Sequence, residues 1–407
     1  MDVASTLPPG DPAPADGALP GEALAGLGSR PFGVYVHVPF CATRCGYCDF
    51  NTYTAGELGT SASPESWLEG LRRELDLAAR VLGSAPPVST VFVGGGTPSL
   101  LGASGLASVL DAVRGSFGLT SGAEVTTEAN PESTSSEFFA EILRAGYNRV
   151  SLGAQSVAPH VLRILDRKHT PGRPVAAAAE ARAAGFEHLN LDLIYGTPGE
   201  RPDDLQASLD AVLDAGVDHV SAYALIVEEG TALERRIRRG ELPSPDDDVL
   251  AERYEQVDAV LSTSGFRWYE VSNWAASTAA RCRHNLNYWR GHDWWGAGPG
   301  AHSHVGGVRW WNVKHPARYA QTLAEGRSPA AARETLSDED RRVERVLLEL
   351  RLVEGLPLSV LDEPGVAEAK VAVADGLLSH AAFDAGRAVL TDEGRLLADG
   401  IVRRLLP

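Results

Sequence analysis

Residues 34–50, VYVHVPFCATRCGYCDF, join a short β-branched run to a group of three cysteines. Cys41, Cys45 and Cys48 fall within eight positions, and Phe50 occupies the place where a fourth cysteine would complete the series. The chain has four cysteines among 407 residues, so a chance cluster of three is not expected. The β-branched run predicts the first strand of a sheet, and the cysteines then occupy the loop that follows it.

Five more runs of this kind follow along the chain and predict further strands. The six runs lie at residues 34–39, 89–96, 124–131, 149–156, 188–196 and 219–226. The segments between them, such as 64–83 and 203–216, have apolar residues at steps of three and four and predict helices. Strands that alternate with helices in this order require right-handed crossovers and a parallel sheet. The predicted fold is therefore α/β, a partial (β/α)6 TIM-like barrel.

The unusual residues of this predicted barrel occur where its strands end. The cysteines follow the first strand, GGGTP (94–98) the second, EANP (128–131) the third, GAQS (153–156) the fourth and DLIYGTP (192–198) the fifth. In such barrels the reactive residues lie at the carboxyl ends of the strands, which open onto one face. The sequence therefore predicts a single site to which several strands contribute.

Composition and charge limit the functions that the chain can have. With 44% hydrophobic residues it is expected to be globular, and its net charge of −17 argues against sequence-independent binding to nucleic acid or anionic lipid. No run of about 18 apolar residues predicts a membrane span, and the first residues lack the pattern of a secretory signal. We therefore expect a cytoplasmic protein with a small-molecule partner, whose cysteines are reduced thiols.

Four segments differ in composition and are predicted as separate units. Residues 1–30 are rich in Pro, Ala and Gly and predict a disordered tail, and residues 31–235 form the barrel. Residues 236–335 are an aromatic-rich segment, and residues 336–407 predict a helical, winged-helix-like domain. Winged helices often bind DNA, but the acidity of the chain and the lack of a Lys/Arg cluster favour a structural or docking role.

Three cysteines at this spacing can hold two kinds of metal centre. A structural zinc ion requires four closed ligands, for which Cys282 or a histidine such as His37 would have to complete the set. The CxxxCxxC loop is better suited to a [4Fe-4S] cluster, since three thiolates reach three irons and leave the fourth iron open. The spacing thus favours the cluster over zinc, and zinc over three unrelated thiols.

These residues resemble the radical S-adenosylmethionine (SAM) superfamily, in which CxxxCxxC follows the first strand. Tyr47 before the third cysteine and the Gly-rich turn after the second strand extend the match. The resemblance implies that SAM chelates the open iron and that one-electron reduction releases a 5'-deoxyadenosyl radical. It covers roughly residues 33–400, where YVHVPFC, GGGTPSLL, EANPES, RVSLGAQS, LDRKH and DLIYGTPGE resemble the oxygen-independent coproporphyrinogen III oxidase group.

The same resemblance implies a set of residues that contact SAM or a second bound ligand. They are Tyr35, Tyr47, Gly95, Gly96, Thr97, Glu128, Gln155, Arg167 and Asp192. The glycines permit a close approach of backbone, and Glu128 can accept hydrogen bonds from ribose hydroxyls. Taken singly, Asp192 and Gln155 could satisfy neighbouring backbone groups, and Arg167 could be a surface charge. Because these residues all fall at or after strand ends of the predicted barrel, we favour the binding role for them.

Two features separate the chain from the oxidases of this group. The oxidases have CxxxCxxCxC, and Phe50 occupies the position of their last cysteine, as in the related haem chaperones called HemW. Residues 283–303, RHNLNYWRGHDWWGAGPGAHS, match the HNxxYW signature of those chaperones. The matching residues are His284, Asn285, Tyr288 and Trp289. The resemblance therefore implies haem carriage rather than porphyrinogen oxidation.

The aromatic segment is also suited to a flat apolar macrocycle by its own chemistry. The candidate ring faces are Trp289, Trp294 and Trp295, and the candidate iron ligands are His284, His292, His302 and Cys282. The alternative is that these rings pack the barrel mouth and that the cysteine is a small buried hydrophobe. We favour a functional role for the motif as a whole.

Three functions are open at this point. The first is a haem chaperone that binds a [4Fe-4S] cluster, SAM and haem and transfers haem to an acceptor protein. The second is an enzyme, an oxygen-independent coproporphyrinogen III oxidase, and Phe50 puts this activity in doubt. The third is a zinc-stabilised binding module. The first two involve an electron donor, and contact with a membrane-bound acceptor would be peripheral, since no lipid anchor or basic amphipathic helix is evident.

Overall fold

The computed structural model describes residues 8–83 and 86–406 and has the predicted alternation of strands and helices. Up to residue 238 the elements are α1 (Gly21–Ala25), β1 (Phe32–Val38), β2 (Phe40–Cys41), β3 (Tyr53–Thr54), α2 (Ala55–Leu58), α3 (Pro64–Leu82), β4 (Val88–Gly95), α4 (Gly102–Phe117), β5 (Leu119–Ala129), α5 (Ser136–Ala145), β6 (Arg149–Gln155), α6 (Pro159–Ile164), α7 (Arg173–Ala184), β7 (His188–Tyr195), α8 (Pro202–Asp214), β8 (His219–Ala224) and α9 (Ala232–Arg238).

The remaining elements belong to the aromatic-rich segment and the C-terminal region. The former contains α10 (Asp247–Thr263), β9 (Arg267–Glu270), β10 (Asn273–Ala275), α11 (Arg283–Trp289), β11 (Asp293–Ala297), β12 (His302–Val305), β13 (Val308–Asn312), α12 (Pro316–Ala324) and β14 (Ala330–Thr335). The latter contains α13 (Asp338–Glu349), β15 (Leu356–Pro357), α14 (Glu363–Ala374), α15 (His380–Asp384), β16 (Arg387–Ala388), α16 (Asp392–Leu396) and α17 (Ala398–Leu405).

Twelve strands form one sheet in the order β14-β13-β12-β11-β1-β4-β5-β6-β7-β8-β10-β9. The strands β1, β4, β5, β6, β7 and β8 are the six that the sequence predicts, and every neighbouring pair among them is parallel. Within the described residues the two edge strands, β14 and β9, do not pair with each other, so the barrel is open. The prediction of a partial (β/α)6 barrel is confirmed.

Alternate side chains of β1 show how the sheet is buried on both faces. Val34, Val36 and Val38 are fully buried in the main hydrophobic core, whereas the intervening Tyr35 and His37 bond to each other on the other face. Burial of a valine side chain stabilises the fold by about 1.5–3 kcal/mol. The helices cover the outer face of the sheet, and polar side chains such as Tyr35 and His37 face the interior of the barrel.

The aromatic-rich segment is not a separate unit, contrary to our prediction. β11 pairs in parallel with β1, and β12, β13 and β14 continue this edge as antiparallel strands. β10 and β9 extend the opposite edge beyond β8. Trp295 and Trp310 share the main hydrophobic core with the barrel valines. The division at residues 235/236 therefore does not separate two cores.

Residues 8–30 pack on the barrel, whereas we predicted a disordered tail. Asp11 forms an antiparallel bridge with Arg333 on β14. Ala23 in α1 is 2% exposed and belongs to the main hydrophobic core. Leu19, Leu24 and Leu27 pack against the same core. Four such residues are too few to fold alone, but the barrel supplies the surface that buries them. The part of the predicted tail before residue 8 lies outside the described residues.

The C-terminal region has a hydrophobic core of its own, which includes Val346, Leu356 and Ile401. Its helices surround a small sheet in which β15 pairs with β16. Arg395 of α16 donates to the carboxylate of Asp258 on α10 and lies over the Trp268 ring, so this region contacts the barrel side through a charged pair and an aromatic face.

Among the helices of the described residues, none combines the length and the apolar composition that a membrane span requires.

Candidate functional site

The carboxyl ends of the barrel strands surround a cavity of about 370 Å³. Eleven of the predicted site residues line it: Cys41, Cys45, Cys48, Tyr47, Gly95, Gly96, Thr97, Glu128, Gln155, Arg167 and Asp192. They come from the loop after β1, from the ends of β4, β5, β6 and β7, and from the turn after α6. Residues that are far apart in sequence therefore meet at one face of the barrel, as the position of strand ends predicts.

The cysteine loop is held in place by backbone bonds to two neighbouring helices. Gly46 donates its N–H to the carbonyl of Leu165 just after α6, at 3.2 Å, and accepts the N–H of Leu233 at the start of α9, at 2.8 Å. Tyr47 packs against a small hydrophobic cluster that includes Leu165 and Ile194. The loop is thus anchored to neighbouring elements, and its thiols remain at the cavity wall.

The three cysteines are free thiols that are partly buried. Burial raises the pKa of the Cys41 thiol, and it raises the pKa of Cys48 to about 12. A thiolate is disfavoured at such a place unless a positive charge accompanies it. Iron supplies that charge in a metal cluster, so the chemistry of these donors fits an iron–sulfur centre.

The arrangement fits a cluster better than a single zinc ion. In the described part of the chain no three Cys, His, Asp or Glu side chains converge on one metal position. The sequence offered two groups to complete a zinc site, and neither is free to do so. Cys282 lies 3.7 Å from the carboxylate of Glu124, away from the cavity, and the His37 ring bonds to Tyr35 and to the Asn51 carbonyl. In a cluster each thiolate binds a different iron, so the three thiolates need not converge on one metal position.

The glycine turn after β4 is required by the cysteine loop itself. Gly95 has a φ of +109°, and a Cβ on Gly96 would lie 2.5 Å from the carbonyl oxygen of Phe40 and 3.0 Å from Cys41 Sγ. Thr97 follows and donates its backbone N–H to Phe40 at 2.8 Å, while its hydroxyl lies 3.8 Å from Cys41 Sγ. We predicted these glycines to admit a ligand, and the structure adds that side chains here would displace the loop.

Two partly buried carboxyl groups form the cavity wall on β5 and β7. Glu128 accepts the Gly95 N–H at 3.1 Å, and burial together with the charge of Asp192 raises its pKa to about 8. Burial also raises the pKa of Asp192, which accepts hydrogen bonds from Ser151 at 3.0 Å and Asn190 at 2.7 Å. Carboxylates with unfilled acceptor positions at a cavity can bind hydroxyl or amino groups of a ligand.

Gln155 and Arg167 complete the wall where β6 and α6 end. Gln155 has a φ of +65°, which is uncommon for a residue other than glycine and costs about 1–3 kcal/mol that the surrounding structure must offset. Arg167 donates to Cys45 Sγ and to the carbonyl of Gly153, both at 3.3 Å. The alternative that Arg167 is a surface charge does not hold, because the guanidinium contacts the cysteine loop.

Tyr35 does not line the cavity, although the resemblance placed it near SAM. It lies on β1 inside the barrel, where its hydroxyl bonds to His37 Nδ1 at 3.0 Å. His37 in turn bonds to the carbonyl of Asn51 at 2.9 Å. The Asn51 side chain donates to the carbonyls of Pro299 and Lys314, both at 2.9 Å, and so ties the end of the cysteine loop to the aromatic-rich segment. No pattern in the sequence indicates this role, since the partners lie about 250 positions away.

Three apolar side chains at the mouth of the cavity are exposed to solvent. Phe50 is 59% exposed, Tyr223 42% and Ile226 67%. Phe50 therefore does not fill a gap that the missing cysteine leaves in the core. It contributes an apolar surface to the rim of the site.

The HNxxYW residues lie on α11, which occupies the other end of the barrel. His284 is 1% exposed, and its two ring nitrogens bond to the hydroxyls of Thr90 at 2.8 Å and Tyr288 at 2.9 Å. Burial lowers the pKa of His284 to about 3, and its ring stacks on Phe92. The carboxylate of Glu124 accepts the backbone N–H groups of Arg283 and His284. The imidazole is thus an interior group in this structure, not an accessible ligand.

The other predicted haem residues are also engaged in packing. Asn285 and Trp289 face the carboxyl group of Glu270, whose pKa burial raises to about 8 despite these polar neighbours. The Trp295 indole donates to buried Glu74, and the Trp294 indole donates to the carbonyl of His302. His292 bonds to Asn287, and the His302 ring stacks on Trp311. The structure therefore does not bring these residues to the cysteine cavity.

A chain of buried hydrogen bonds connects the two ends of the barrel. Asn190 donates to Asp192 at the cavity and bonds through its amide oxygen to His219 Nδ1 at 2.7 Å. His219 Nε2 bonds to the Tyr269 hydroxyl at 2.7 Å, which accepts the backbone N–H of Cys282 at the start of α11 at 3.2 Å. Sequence patterns cannot reveal such a chain, because each link joins a different pair of elements.

The chain is similar to known proteins in sequence and in fold. The model of the family described as "Radical SAM superfamily" matches residues 35–212, which include the three clustered cysteines. The chain is 62% identical to Heme chaperone HemW of Mycobacterium tuberculosis over 95% of its own length and 97% of that protein. It is 32% identical to Heme chaperone HemW of Escherichia coli over 92% of its length and 98% of that protein. The solved structure of coproporphyrinogen III oxidase from Escherichia coli, described as a radical SAM enzyme, is similar with a TM-score of 0.81, 25% identity and coverage of 94% of this chain and 92% of that chain.

Proposed function

We propose that the chain, which belongs to the HemW family of the radical SAM superfamily, is a haem chaperone. It binds a [4Fe-4S] cluster, SAM and haem, and it transfers haem to an acceptor protein. An electron donor and the acceptor are its protein partners, and nucleic acid is not a partner of a chain with a net charge of −17.

The observation that carries the proposal is the residue at position 50. The three thiols of the loop line the cavity, and the next position of the series holds Phe50, whose ring is exposed at the rim. A cluster needs only the three thiols, so the loop remains competent to bind it. The additional cysteine of the oxidases is absent, and this supports carriage of a porphyrin rather than its oxidation.

The cavity residues have separate parts in cofactor binding. Cys41, Cys45 and Cys48 would bind three irons, and the bound cluster would supply single electrons to SAM. Glu128 and Asp192 would accept hydrogen bonds from the hydroxyl and amino groups of SAM or of a second ligand. The remaining wall residues would surround these bound groups with their own backbone and side-chain atoms. They are Tyr47, Gly95, Gly96, Thr97, Gln155 and Arg167. Tyr35 would act from behind the wall through His37 and Asn51.

The haem would be held through α11, with His284 as its iron ligand once α11 has opened, since the imidazole is enclosed in the structure described here. The imidazole is neutral, because burial lowers its pKa to about 3, and neutral imidazole is the form that binds iron. Nε2 is bonded to Tyr288, another member of the motif, so iron binding requires the Tyr288 hydroxyl to move away. Haem binding is therefore coupled to a local rearrangement of α11.

The alternative function is the oxidation of coproporphyrinogen III by radical decarboxylation. The similarity of the fold to the Escherichia coli oxidase, with a TM-score of 0.81, favours this alternative. A shared fold does not fix the reaction, since different chemistries occur on one fold.

A paired assay on anaerobically reconstituted protein distinguishes the two functions. Haem is titrated by absorption spectroscopy, and coproporphyrinogen III turnover is measured with SAM and a reductant. The chaperone predicts saturable haem binding, no protoporphyrinogen, and haem release to an acceptor apoprotein. Sustained decarboxylation, or an absence of saturable haem binding, would contradict the proposal. Zinc with no brown absorbance would favour the zinc-stabilised module instead.

A further inference from the structure

Arg167 is a partly buried cation whose guanidinium contacts a cysteine sulfur. Its Nη1 donates to Cys45 Sγ and its Nη2 to the carbonyl of Gly153, both at 3.3 Å. Its Nε is buried without a hydrogen-bond partner, and no carboxylate of the described residues lies within ion-pair distance of the guanidinium. A buried guanidinium normally pairs with an anion. In a loop that holds a cluster, the anion in reach of Arg167 would be the Cys45 thiolate.

The backbone around Arg167 is built so as to present it to the cysteine loop. α6 ends at Ile164, Asp166 has a φ of +53°, and the Arg167 N–H returns to the carbonyl of Leu162 at 2.9 Å. A Cβ on Gly46 would lie 2.3 Å from Asp166 Oδ2, so a larger residue here would push the Asp166 side chain aside. The position of the guanidinium beside Cys45 is therefore a consequence of packing on both sides and not of one flexible side chain.

We propose that Arg167 tunes the [4Fe-4S] cluster by donating a hydrogen bond to the Cys45 thiolate and by placing a positive charge beside it. The inference rests on the proposed function for the presence of the cluster. Reduction adds one electron to a centre that three thiolates already make negative, and a nearby buried cation stabilises that extra charge. Hydrogen bonds to cluster sulfurs are one of the factors that set the reduction potential. Arg167 thus makes the cluster easier to reduce, which is a role separate from contact with SAM.

The same geometry explains why the three thiols are not equivalent. Cys41 has the Thr97 hydroxyl at 3.8 Å, a neutral and distant donor, whereas Cys45 has a charged donor at 3.3 Å. A charged donor strengthens a hydrogen bond roughly twofold over a neutral one. The iron held by Cys45 is therefore the one whose added electron density Arg167 stabilises most.

The test is a redox titration of the reconstituted cluster in the absence of SAM. Electron paramagnetic resonance measures the reduced cluster at each potential. Three variants are compared with the parent protein: Arg167→Gln, Arg167→Lys and Arg163→Gln. Arg163 is an exposed cation on α6, so Arg163→Gln removes the same charge from the same helix without contacting the loop. Iron and sulfide content is measured first, so that only loaded protein is compared.

We expect Arg167→Gln to lower the ratio of reduced to oxidised cluster at a fixed potential by about tenfold, equivalent to a shift of about 59 mV for one electron. Arg167→Lys keeps the charge and loses the planar fork, so it should lie between Arg167→Gln and the parent protein. Arg163→Gln should leave the ratio unchanged.

An unchanged ratio in Arg167→Gln, or an equal fall in Arg163→Gln, would overturn the inference. If neither Arg167 variant holds a cluster although circular dichroism shows a folded protein, Arg167 acts in assembly and the tuning role is also overturned. A parent protein that binds no cluster at all would overturn the proposed function instead, so the two failures are distinguishable.

Discussion

The two ends of the barrel contain similar kinds of side chain in opposite states. At the carboxyl end, three thiols, two carboxyl groups and a guanidinium line an open cavity, and Arg167 Nε has no partner. At the amino end, His284 is 1% exposed and both of its ring nitrogens are bonded. The carboxylate of Glu124 similarly accepts two backbone N–H groups of α11.

This difference indicates that the two ends of the barrel have different roles. Polar groups that surround a cavity and lack partners are available to a ligand, whereas polar groups bonded to one another hold an element in place. The carboxyl end is therefore a preformed cavity whose wall is open to a ligand. The amino end is a closed structural contact, and a haem that binds there must replace bonds that the protein already makes.

The largest expected effect separates the cysteines of the two ends. We expect Cys41→Ala, Cys45→Ala and Cys48→Ala each to abolish the cluster, because no other thiol is near enough to replace the lost ligand. Cys282→Ala is the matched control, since this thiol lies against Glu124 at the amino end. Iron and sulfide analysis of reconstituted protein provides the measurement, and loss of iron in Cys282→Ala would remove the distinction between the two ends.

The second effect concerns the histidine at the closed end. We expect His284→Ala to weaken haem binding by about tenfold to a hundredfold, because the iron loses an imidazole. Tyr288→Phe should leave the affinity equal or higher, since it removes the hydroxyl that competes for Nε2. His380→Ala, at an exposed histidine in the C-terminal region, is the control.

Haem titration by absorption spectroscopy measures these affinities, and iron content should be unchanged in all three variants. If haem affinity is unchanged in His284→Ala, or falls equally in His380→Ala, the motif has a structural role only, and haem binds elsewhere.

The third effect tests whether α11 is held by Glu124. Glu124→Gln keeps the shape of the side chain but weakens its bonds to Arg283 and His284, so we expect the free energy of unfolding to fall by about 1–3 kcal/mol. Glu141→Gln, at an exposed position on α5, should change it little. Urea denaturation of the metal-free proteins measures both. Equal stability of the two variants would show that α11 does not depend on this carboxylate.

The smallest effect is a pH dependence that comes from the cavity wall. The pKa of Glu128 is about 8 in the folded protein, compared with 4.5 for a free carboxyl group. The folded state therefore binds more protons than the unfolded state between these values, and the free energy of unfolding should fall as the pH rises from about 5 to about 8. Relaxation around the ionised group limits the change from this residue to about 1 kcal/mol.

Glu128→Gln should flatten part of this dependence in metal-free protein, and Glu141→Gln should leave it unchanged. A slope that Glu128→Gln does not alter would assign it to other buried acids. Glu270 at the amino end, whose pKa is also about 8, is the first of these to substitute.

Much of the cofactor site could be predicted because its signals are local. The six strands appear as short β-branched runs, and the carboxyl ends of parallel strands meet at one face of a barrel, so eleven of the predicted residues line one cavity. The closed end was harder to predict. The HNxxYW motif is visible as a motif, but whether its rings face a ligand or the interior depends on which strands α11 covers.

Three features followed from long-range packing alone and were missed or misjudged. β11 returns to pair with β1, although about 260 residues separate them along the chain. Residues 8–30 are poor in apolar side chains and still pack, because the barrel supplies the buried surface. Asn51 anchors the cysteine loop through carbonyl groups of a distant segment, and an asparagine in a loop has no pattern that indicates such a partner.

The sequence by itself determined the parallel barrel, the three-thiol loop at its first strand end and the absence of a fourth cysteine at Phe50. These depend on the period of apolar residues and on spacing within one loop, and both are properties of short stretches of chain. Only the tertiary structure decided that Arg167 donates to Cys45 and that His284 is enclosed by Thr90 and Tyr288. Those contacts join elements that are distant in sequence, and their geometry exists only once the strands have been ordered and the helices packed against them.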